Sequence, residues 1–414
     1  MTLNPFFIII LVAIVLEFVL NLTASLLNLR AINLEVPPIL EGVYSPEDYH
    51  NSQEYTRAST RFNLAASSFR LLLLLAFWFA GGFNYLDHIV RAWGFVSIVN
   101  GLLYIGILLI AYSLLMLPFS IYATFAIEER FGFNRTTWRT FMLDWVKGLA
   151  LAVLLGVPLL AGIMAFFEYS GPYAWLYCWI AIIIYSLVMQ FVAPTWIMPL
   201  FNKFTPLESG KLKDAILRYA RSVNFPIKNV FVMDGSKRST KSNAFFTGFG
   251  RNKRAVLFDT LIEKHTEPEL VAVLAHEIGH HKKKHILQGM IIGIVHTGVV
   301  FFLLSIFLRS LGLYEAFYMK QPSIYAGLLF FALLYSPIEL LLSILMQMVS
   351  RKNEYEADRF ATETIDEPQN LADALKKLAA SNFSNLTPHP FHVFLNYSHP
   401  PLLQRVRTIQ QHEA

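Results

Sequence analysis

The sequence predicts a mainly α-helical, polytopic membrane protein with about seven transmembrane helices and a smaller folded α+β part outside the bilayer. Long apolar segments recur along the 414 residues, of which 55% are hydrophobic and only 15% are charged. A soluble domain carries charge at about a quarter of its positions. In contrast, the long segment 201–285 is polar and differs in composition from both of its apolar neighbours.

Seven segments are apolar over about the 20 residues that a helix needs to cross a bilayer. These predicted spans are residues 5–27, 68–87, 100–125, 146–167, 173–200, 286–308 and 323–349. The segment Met1 to Phe7 contains no Lys or Arg, so it lacks the charged start of a cleavable signal peptide. We therefore expect the first span to be retained, followed by a long first loop at 28–67.

The distribution of Lys and Arg predicts the orientation of the chain in the bilayer. The loops 28–67, 126–145 and 201–285 and the tail after residue 350 carry most of the basic side chains. We expect these segments on the cytoplasmic side and the N-terminus outside. The net charge of +5 follows from this bias, so we expect a lipid bilayer and no nucleic acid as partner. The single cysteine, Cys178, excludes an internal disulfide.

The polar segment 201–285 is predicted to fold as an insert of helices and short strands. An amphipathic pattern covers 207–223, and strand patterns lie at about 229–233, 243–248 and 254–258. A further helix should begin after Thr266, because Thr266 and Glu269 form a capping-box pattern. This helix continues into a His-Glu-x-x-His motif.

The motif reads His276-Glu277-Ile278-Gly279-His280. Because residues four apart share a helix face, His276 and His280 can bind one Zn²⁺ ion. Glu277 lies beside the open coordination position, where it can accept a proton from water that the metal activates. The pattern is typical of a metalloprotease, with Glu277 as general base.

A third ligand is expected downstream, where Glu354 and Asp358 are four residues apart and share a helix face. Glu354 is the predicted ligand, and Asp358 the predicted hydrogen-bond partner of a ligating histidine. Glu356 is the rival ligand, but on a helix it points about 200° away from Glu354. His281 and His285 lack an adjacent glutamate and are interpreted as a polar interfacial end of the motif helix.

Several motifs occur in a recognisable order along the chain. They are Asn243-Ala244-Phe245, the His-Glu-x-x-His helix, two predicted spans, Glu354-Tyr355-Glu356-Ala357-Asp358, and Tyr397-Ser398-His399-Pro400-Pro401 with Arg405. Over nearly its whole length the chain resembles the CAAX prenyl protease 1 family of integral-membrane zinc endopeptidases. The resemblance implies seven long helices that enclose a water-filled chamber, closed at one end by a zincin-type α+β protease domain with a small β-sheet.

On this basis the chain divides into four parts. They are five transmembrane helices with a long first cytoplasmic loop (1–200), a cytoplasmic protease insert with the motif helix (201–285), two transmembrane helices (286–350), and the C-terminal part of the protease domain (351–414). Charged and polar groups at membrane depth usually face an interior cavity. The candidates for chamber lining are Glu17, Asn21, Gln190, His296 and Glu339.

The resemblance also implies roles for individual residues. The residues that would bind zinc are His276, His280 and Glu354. Glu277 would be the general base, and Asp358 would hold a ligating histidine. His399 would donate a hydrogen bond to the oxyanion and Arg405 would lie near the zinc; the alternatives are a loop histidine and a structural ion-pair partner. The residues that would bind substrate as an edge strand are Asn243, Ala244 and Phe245.

The substrate is a peptide or protein, and the resemblance leaves two classes open. Eukaryotic members remove the last three residues of prenylated CAAX proteins, whereas bacterial relatives point to membrane-protein quality control. The ending His412-Glu413-Ala414 has no ER-retention sequence, which favours a bacterial inner membrane over the endoplasmic reticulum membrane of a eukaryote. The alternative function is a transporter or channel with a metal-binding site. The oligomeric state remains unknown at this stage.

Overall fold

The structure, a computed structural model, describes residues 4–33, 35–225, 227, 229–247 and 254–411. Within these ranges seven helices are long and apolar enough to cross a membrane, which confirms the predicted polytopic fold. They are Pro5–Arg30, Pro46–Phe79, Ser97–Glu128, Trp138–Tyr169, Gly171–Phe201, His285–Phe307 and Ile324–Thr364. Two expectations fall outside the described residues. The predicted strand 243–248 ends at Gly248, and the expectation of a bacterial membrane rests on residues 412–414.

The α-helices are numbered in chain order. They are α1 Pro5–Arg30, α2 Pro46–Phe79, α3 Gly82–Ala92, α4 Ser97–Tyr122, α5 Trp138–Leu151, α6 Val157–Tyr169, α7 Ala174–Val192, α8 Met198–Phe201, α9 Lys211–Ser222, α10 Asp259–Lys264, α11 Glu267–Lys282, α12 His285–Phe307, α13 Leu311–Glu315, α14 Ile324–Thr364, α15 Gln369–Asn382, α16 Pro390–Asn396 and α17 Leu402–Gln411. π-Helical turns at Ala123–Glu128, Ala152–Gly156 and Ala193–Ile197 extend α4 and join α5 to α6 and α7 to α8. Pro194, which lacks a backbone N–H, lies in the third of these turns, and Pro158 follows the second by two residues.

The first loop is shorter than predicted, because α2 already begins at Pro46. Ser45 caps this helix by accepting a hydrogen bond from the backbone N–H of Asp48 at 3.0 Å. The predicted second span also extends too far, since α2 ends at Phe79 and Gly81 turns the chain with a φ of 71°. The apolar run marks only the part of α2 in lipid, so it did not predict the polar first half of the helix.

The insert forms a four-stranded sheet in the described residues. The strands are β1 Phe204–Pro206, β2 Asn229–Met233, β3 Ala244–Thr247 and β4 Arg254–Phe258, in the order β1-β2-β4-β3. β2 and β4 are parallel, and β1 and β3 pair antiparallel at the two edges. The three predicted strands are confirmed, whereas β1 was not predicted. β3 is an edge strand, as expected, and begins one residue after Asn243.

Helix α11 joins the sheet to the membrane helices. One face of α11 packs on the sheet core through Leu270 and Leu274, and the other face contacts α14. At Gly279 the two helices approach so closely that a Cβ atom would lie 3.0 Å from the Cα and the O of Ala357. α14 runs unbroken for 41 residues, from the last membrane span to the third-ligand segment.

The ends of the membrane helices cluster in two places. At one end, α1, α2, α3, α13 and α14 share an apolar core in which the Phe317 ring stacks on Phe330 at 3.8 Å. At the other end the insert is held by Lys241, which lies 2.9 Å from Glu128 and donates to Tyr55 at 2.8 Å. Asn28 and Asn385 are hydrogen-bonded at 3.1 Å at that same end. The loops predicted to share one side of the bilayer therefore do lie together.

Between these ends the helices enclose the chamber expected for this fold. Only 6% of the apolar windows of Ser97–Glu128, Trp138–Tyr169 and Gly171–Phe201 is buried, so most side chains of these windows face lipid or the space between the helices. Glu17 and Asn21 line a cavity of about 570 Å³ between α1, α2 and α14. His296 and Glu339 pair with each other at 3.1 Å.

Candidate metal and peptidase site

The capped start of α11 directs its motif toward α14. The backbone N–H of Thr266 donates to the Glu269 carboxylate at 2.9 Å, which completes the predicted capping box. His276 and His280 follow on one face of the helix. Glu354 lies next to these histidines on α14 and is only 3% exposed.

The three predicted ligands converge on one point. His276 Nε2 and His280 Nε2 lie 3.2 Å apart. Glu354 Oε2 is 3.5 Å from His276 Nε2, and Glu354 Oε1 is 3.3 Å from His280 Nε2. Glu354 Oε2 is buried and accepts no well-aligned hydrogen bond. Two imidazole nitrogens and a carboxylate gathered in this way can hold a metal ion.

A second layer of charged groups surrounds these ligands. His276 Nδ1 lies 2.8 Å from Asp358 Oδ1, which is the contact expected of Asp358. Arg405 donates from Nε and Nη2 to the two oxygens of Asp358 at 2.8 and 2.6 Å, and its Nη1 is 3.2 Å from Glu354 Oε2. Arg405 thus lies next to the site, as predicted. It also makes the ion pairs expected under the alternative that it is a structural partner. Burial alone would lower the pKa of Arg405, but Asp358 beside it raises the pKa, so the guanidinium stays charged.

The electrostatics of the motif differ from those of an exposed helix. Burial alone would lower the pKa of His276, but hydrogen bonds to Asp358 and Glu354 outweigh it and raise the pKa to about 9. Burial raises the pKa of Glu277 above its ordinary value, although His276 and His280 act in the opposite direction. A glutamate with a raised pKa is suited to accept and return a proton near neutral pH.

His399 also reaches the site. Its Nδ1 lies 2.9 Å from Glu354 Oε1, and its side chain is 65% exposed. The His399 ring therefore lies next to the predicted ligand Glu354 and remains accessible to solvent.

Glu277 lines two cavities. The larger, of about 500 Å³, is bordered by His399 and by Asn243 and Ala244 of the edge-strand segment. The smaller, of about 350 Å³, is bordered by Phe245 on the same segment. The predicted substrate-binding residues thus follow the open edge past the general-base candidate.

Two further residues, His285 and the rival ligand Glu356, lie next to the ligand candidates. His285 Nδ1 lies 3.1 Å from His280 Nδ1, and His285 Nε2 lies 3.1 Å from Glu356 Oε2. The expectation that His285 lies at the end of the motif helix was wrong, because α11 ends at Lys282 and α12 begins at His285. Lys284 has a φ of 61°, which turns His285 back toward His280. On one continuous helix, five residues at about 100° each would have pointed them about 140° apart.

Comparison with known proteins identifies the family. Residues 25–203 match the family described as CAAX prenyl protease N-terminal, five membrane helices, and residues 206–413 match peptidase family M48. The chain belongs to family M48. The CAAX prenyl protease 1 of Saccharomyces cerevisiae is 34% identical over 402 residues, which cover 91% of this chain and 88% of that protein. The Arabidopsis thaliana homolog is 36% identical and covers 95% of both chains, and the human homolog is 33% identical and covers 91% of this chain and 90% of its own.

A crystal structure of S. mikatae Ste24p has the same fold as this M48 chain. It superimposes with a TM-score of 0.93 at 33% identity and covers 98% of this chain and 99% of that chain. The chain is therefore a multi-pass membrane metalloprotease of the CAAX prenyl protease 1 type. The resemblance seen in the sequence is confirmed, and the alternative of a transporter is not favoured.

Proposed function

We propose that this M48 chain is a zinc endopeptidase that cleaves near the C-terminus of prenylated proteins. The observation that carries the proposal is the position of Glu277 and the three ligand candidates. They lie along two cavities, alongside an edge strand that lines both. A protease must hold its substrate extended across the reacting groups, and an open strand edge does so through main-chain hydrogen bonds.

Zinc fits the donor set better than harder cations do. Two imidazoles and one carboxylate are typical zinc ligands, whereas Mg²⁺ and Ca²⁺ prefer oxygen alone. Atoms that each lie about 2.0–2.1 Å from a tetrahedral zinc are about 3.3 Å from one another. The observed separations among His276, His280 and Glu354 are 3.2, 3.3 and 3.5 Å. The near-contact of the two ring nitrogens also favours a cation between them.

When bound, Zn²⁺ supplies Lewis-acid chemistry that activates water and polarises the scissile carbonyl. Glu277 accepts the proton of the attacking water and returns it to the leaving amine. Asp358 accepts a hydrogen bond from His276 Nδ1 and so directs Nε2 to the metal. Arg405 offsets the charges of Asp358 and Glu354. We infer that His399 donates a hydrogen bond to the oxyanion, because its ring lies beside Glu354 and lines the larger cavity.

The substrate class is proposed from the relatives together with the cavity chemistry. The curated relatives carry the name CAAX prenyl protease 1. Apolar side chains extend the smaller cavity toward the membrane helices; they are Ile286, Ile292, Met346 and Val349. Such a surface suits a substrate that carries a lipid close to its cleavage site.

The membrane arrangement and domain division remain part of the proposal. The Lys and Arg bias favours a cytoplasmic site and an outside N-terminus. We assign 1–200 and 286–350 to the membrane part, and 201–285 and 351–414 to the protease part. The host membrane, whether bacterial inner membrane or endoplasmic reticulum, stays a prediction.

The test compares the purified protein in detergent with Glu277→Gln, and with Glu263→Gln as an exposed control on α10. Metal content is measured alongside cleavage of matched farnesylated and unmodified peptides. We expect about one zinc per chain in all three proteins. Cleavage should be lost only in Glu277→Gln, and the farnesylated peptide should be preferred. Cleavage by Glu277→Gln, or zinc-loaded wild type that cleaves neither peptide, would contradict the proposed function. Equal cleavage of both peptides would contradict the substrate class alone.

A further inference from the structure

We propose that His285 and Glu356 form a hydrogen-bonded relay that orients His280 for metal binding. The inference rests on the proposed function, in which His280 is a metal ligand. It assigns positioning roles to two residues outside the ligand set. The relay runs from the carboxylate of Glu356 on α14, through the ring of His285 at the start of α12, to the ring of His280 on α11.

The contacts form an unbroken line. Glu356 Oε2 lies 3.1 Å from His285 Nε2, and His285 Nδ1 lies 3.1 Å from His280 Nδ1. On its other side, His280 Nε2 faces His276 Nε2 at 3.2 Å and Glu354 Oε1 at 3.3 Å. Each ring of the relay therefore uses both of its nitrogens.

Only one arrangement of hydrogens serves this line when His280 binds a metal. His280 Nε2 must offer a lone pair, so the hydrogen of the neutral ring is on Nδ1. His285 Nδ1 must then accept that hydrogen bond, which leaves the hydrogen of His285 on Nε2. That hydrogen points to Glu356, which as a carboxylate can only accept. Donors and acceptors alternate without conflict from Glu356 to the ligand nitrogen.

The other ligating histidine has the same kind of support by a shorter route. His276 Nδ1 reaches Asp358 Oδ1 directly at 2.8 Å. The stretch from Glu354 to Asp358 therefore provides one carboxylate for the ligand set, one for His276 and one for His280 by way of His285. A partner on the remote nitrogen sets the tautomer and orientation of a ligating imidazole.

Burial predicts that the two relay residues contribute unequally. His285 is 8% exposed, and the turn at Lys284 holds it against His280. The Glu356 side chain is 41% exposed and lies 3.7 Å from Lys352, so water can partly replace it. Loss of the His285 ring should therefore weaken metal binding more than loss of the Glu356 carboxylate does.

The experiment measures apparent Zn²⁺ affinity by chelator competition and the visible spectrum of the Co²⁺-loaded protein. The variants are His285→Ala, His285→Asn and Glu356→Ala. The matched controls are His296→Ala and Glu339→Ala, because that pair also joins α12 to α14 at 3.1 Å but lies away from the site. Asn at 285 keeps an acceptor oxygen near the position of Nδ1, so it tests the hydrogen bond to His280 without emptying the space.

We expect His285→Ala to weaken Zn²⁺ binding by about 10- to 100-fold and to change the Co²⁺ spectrum. Glu356→Ala should weaken it less, His285→Asn should recover most of the affinity, and both controls should match wild type. The relay is overturned if His285→Ala binds metal as wild type does, or if His296→Ala weakens binding equally. If His285→Ala does not fold, the Zn²⁺ affinity of His285→Asn decides. Complete loss of Zn²⁺ binding in His285→Asn would contradict the relay, because the retained acceptor oxygen should preserve most of the affinity. Failure of the wild type to bind metal would instead refute the proposed function.

Discussion

Gly279 is where the histidine helix and the carboxylate helix touch, so Gly279→Ala tests whether their spacing sets the site. The new Cβ would lie 3.0 Å from the Cα and O of Ala357 and 3.2 Å from the Phe360 ring. Carbon atoms in comfortable contact are about 3.5–4.0 Å apart, so α11 and α14 must separate by a few tenths of an ångström. Metal–ligand distances tolerate only about 0.2 Å. Ala357 lies three residues after Glu354, so the separation is passed on to the ligands.

The expected result is a functional loss that exceeds the loss of stability. Overpacking costs about 1–3 kcal/mol, and the better helix propensity of Ala offsets about 1 kcal/mol of it. A displacement of about 1 Å at a catalytic site can lower the rate by about 100-fold, so a shift of a few tenths of an ångström should lower cleavage by roughly 3- to 10-fold. The assay is peptide cleavage and zinc content, with unfolding followed in detergent. Gly293→Ala on α12 is the control, because nothing lies within 4 Å of its Cβ position. Wild-type cleavage and zinc content in Gly279→Ala would refute the reasoning.

Three further predictions concern the charged groups. Arg405→Met leaves the buried carboxylates of Asp358 and Glu354 without a counterion, so the metal-free protein should lose about 3–5 kcal/mol, seen as a lower unfolding midpoint. Adding Asp358→Asn should recover part of that loss, and an unchanged midpoint in Arg405→Met would contradict the pairing. His399→Ala should keep its zinc but lower kcat by about 100- to 1000-fold, whereas a rise in KM alone would argue against an oxyanion donor. Because the pKa of metal-free His276 is raised to about 9 and only the neutral ring binds, Zn²⁺ affinity should rise about tenfold per pH unit from pH 7 toward 9 and level off above. A flat affinity profile, measured by chelator competition, would contradict this.

Local patterns predicted the elements that depend on local physics. Apolar length identified seven spans, because lipid requires each crossing helix to be apolar over its whole depth. The capping box placed the start of α11 after Thr266, and the four-residue spacing placed His276 and His280 on one face. The same signals missed the polar first half of α2, although Ser45 and Pro46 are ordinary start signals for a helix. The predicted span covered only the apolar run, and that run marks only the part of α2 that lies in lipid.

The sequence by itself determined the membrane class, the motif helix and the identity of the three ligand candidates. These follow from composition, periodicity and residue chemistry over short distances along the chain. Only the tertiary structure decided that Arg405 binds both Asp358 and Glu354, and that Glu277 lines two cavities. It also decided that His285 contacts His280. These relations depend on how α11, α12, α14 and α17 pack, and on one left-handed residue at Lys284 that breaks the helical period. The periodicity of a single helix predicts neither the packing between helices nor the left-handed turn at Lys284.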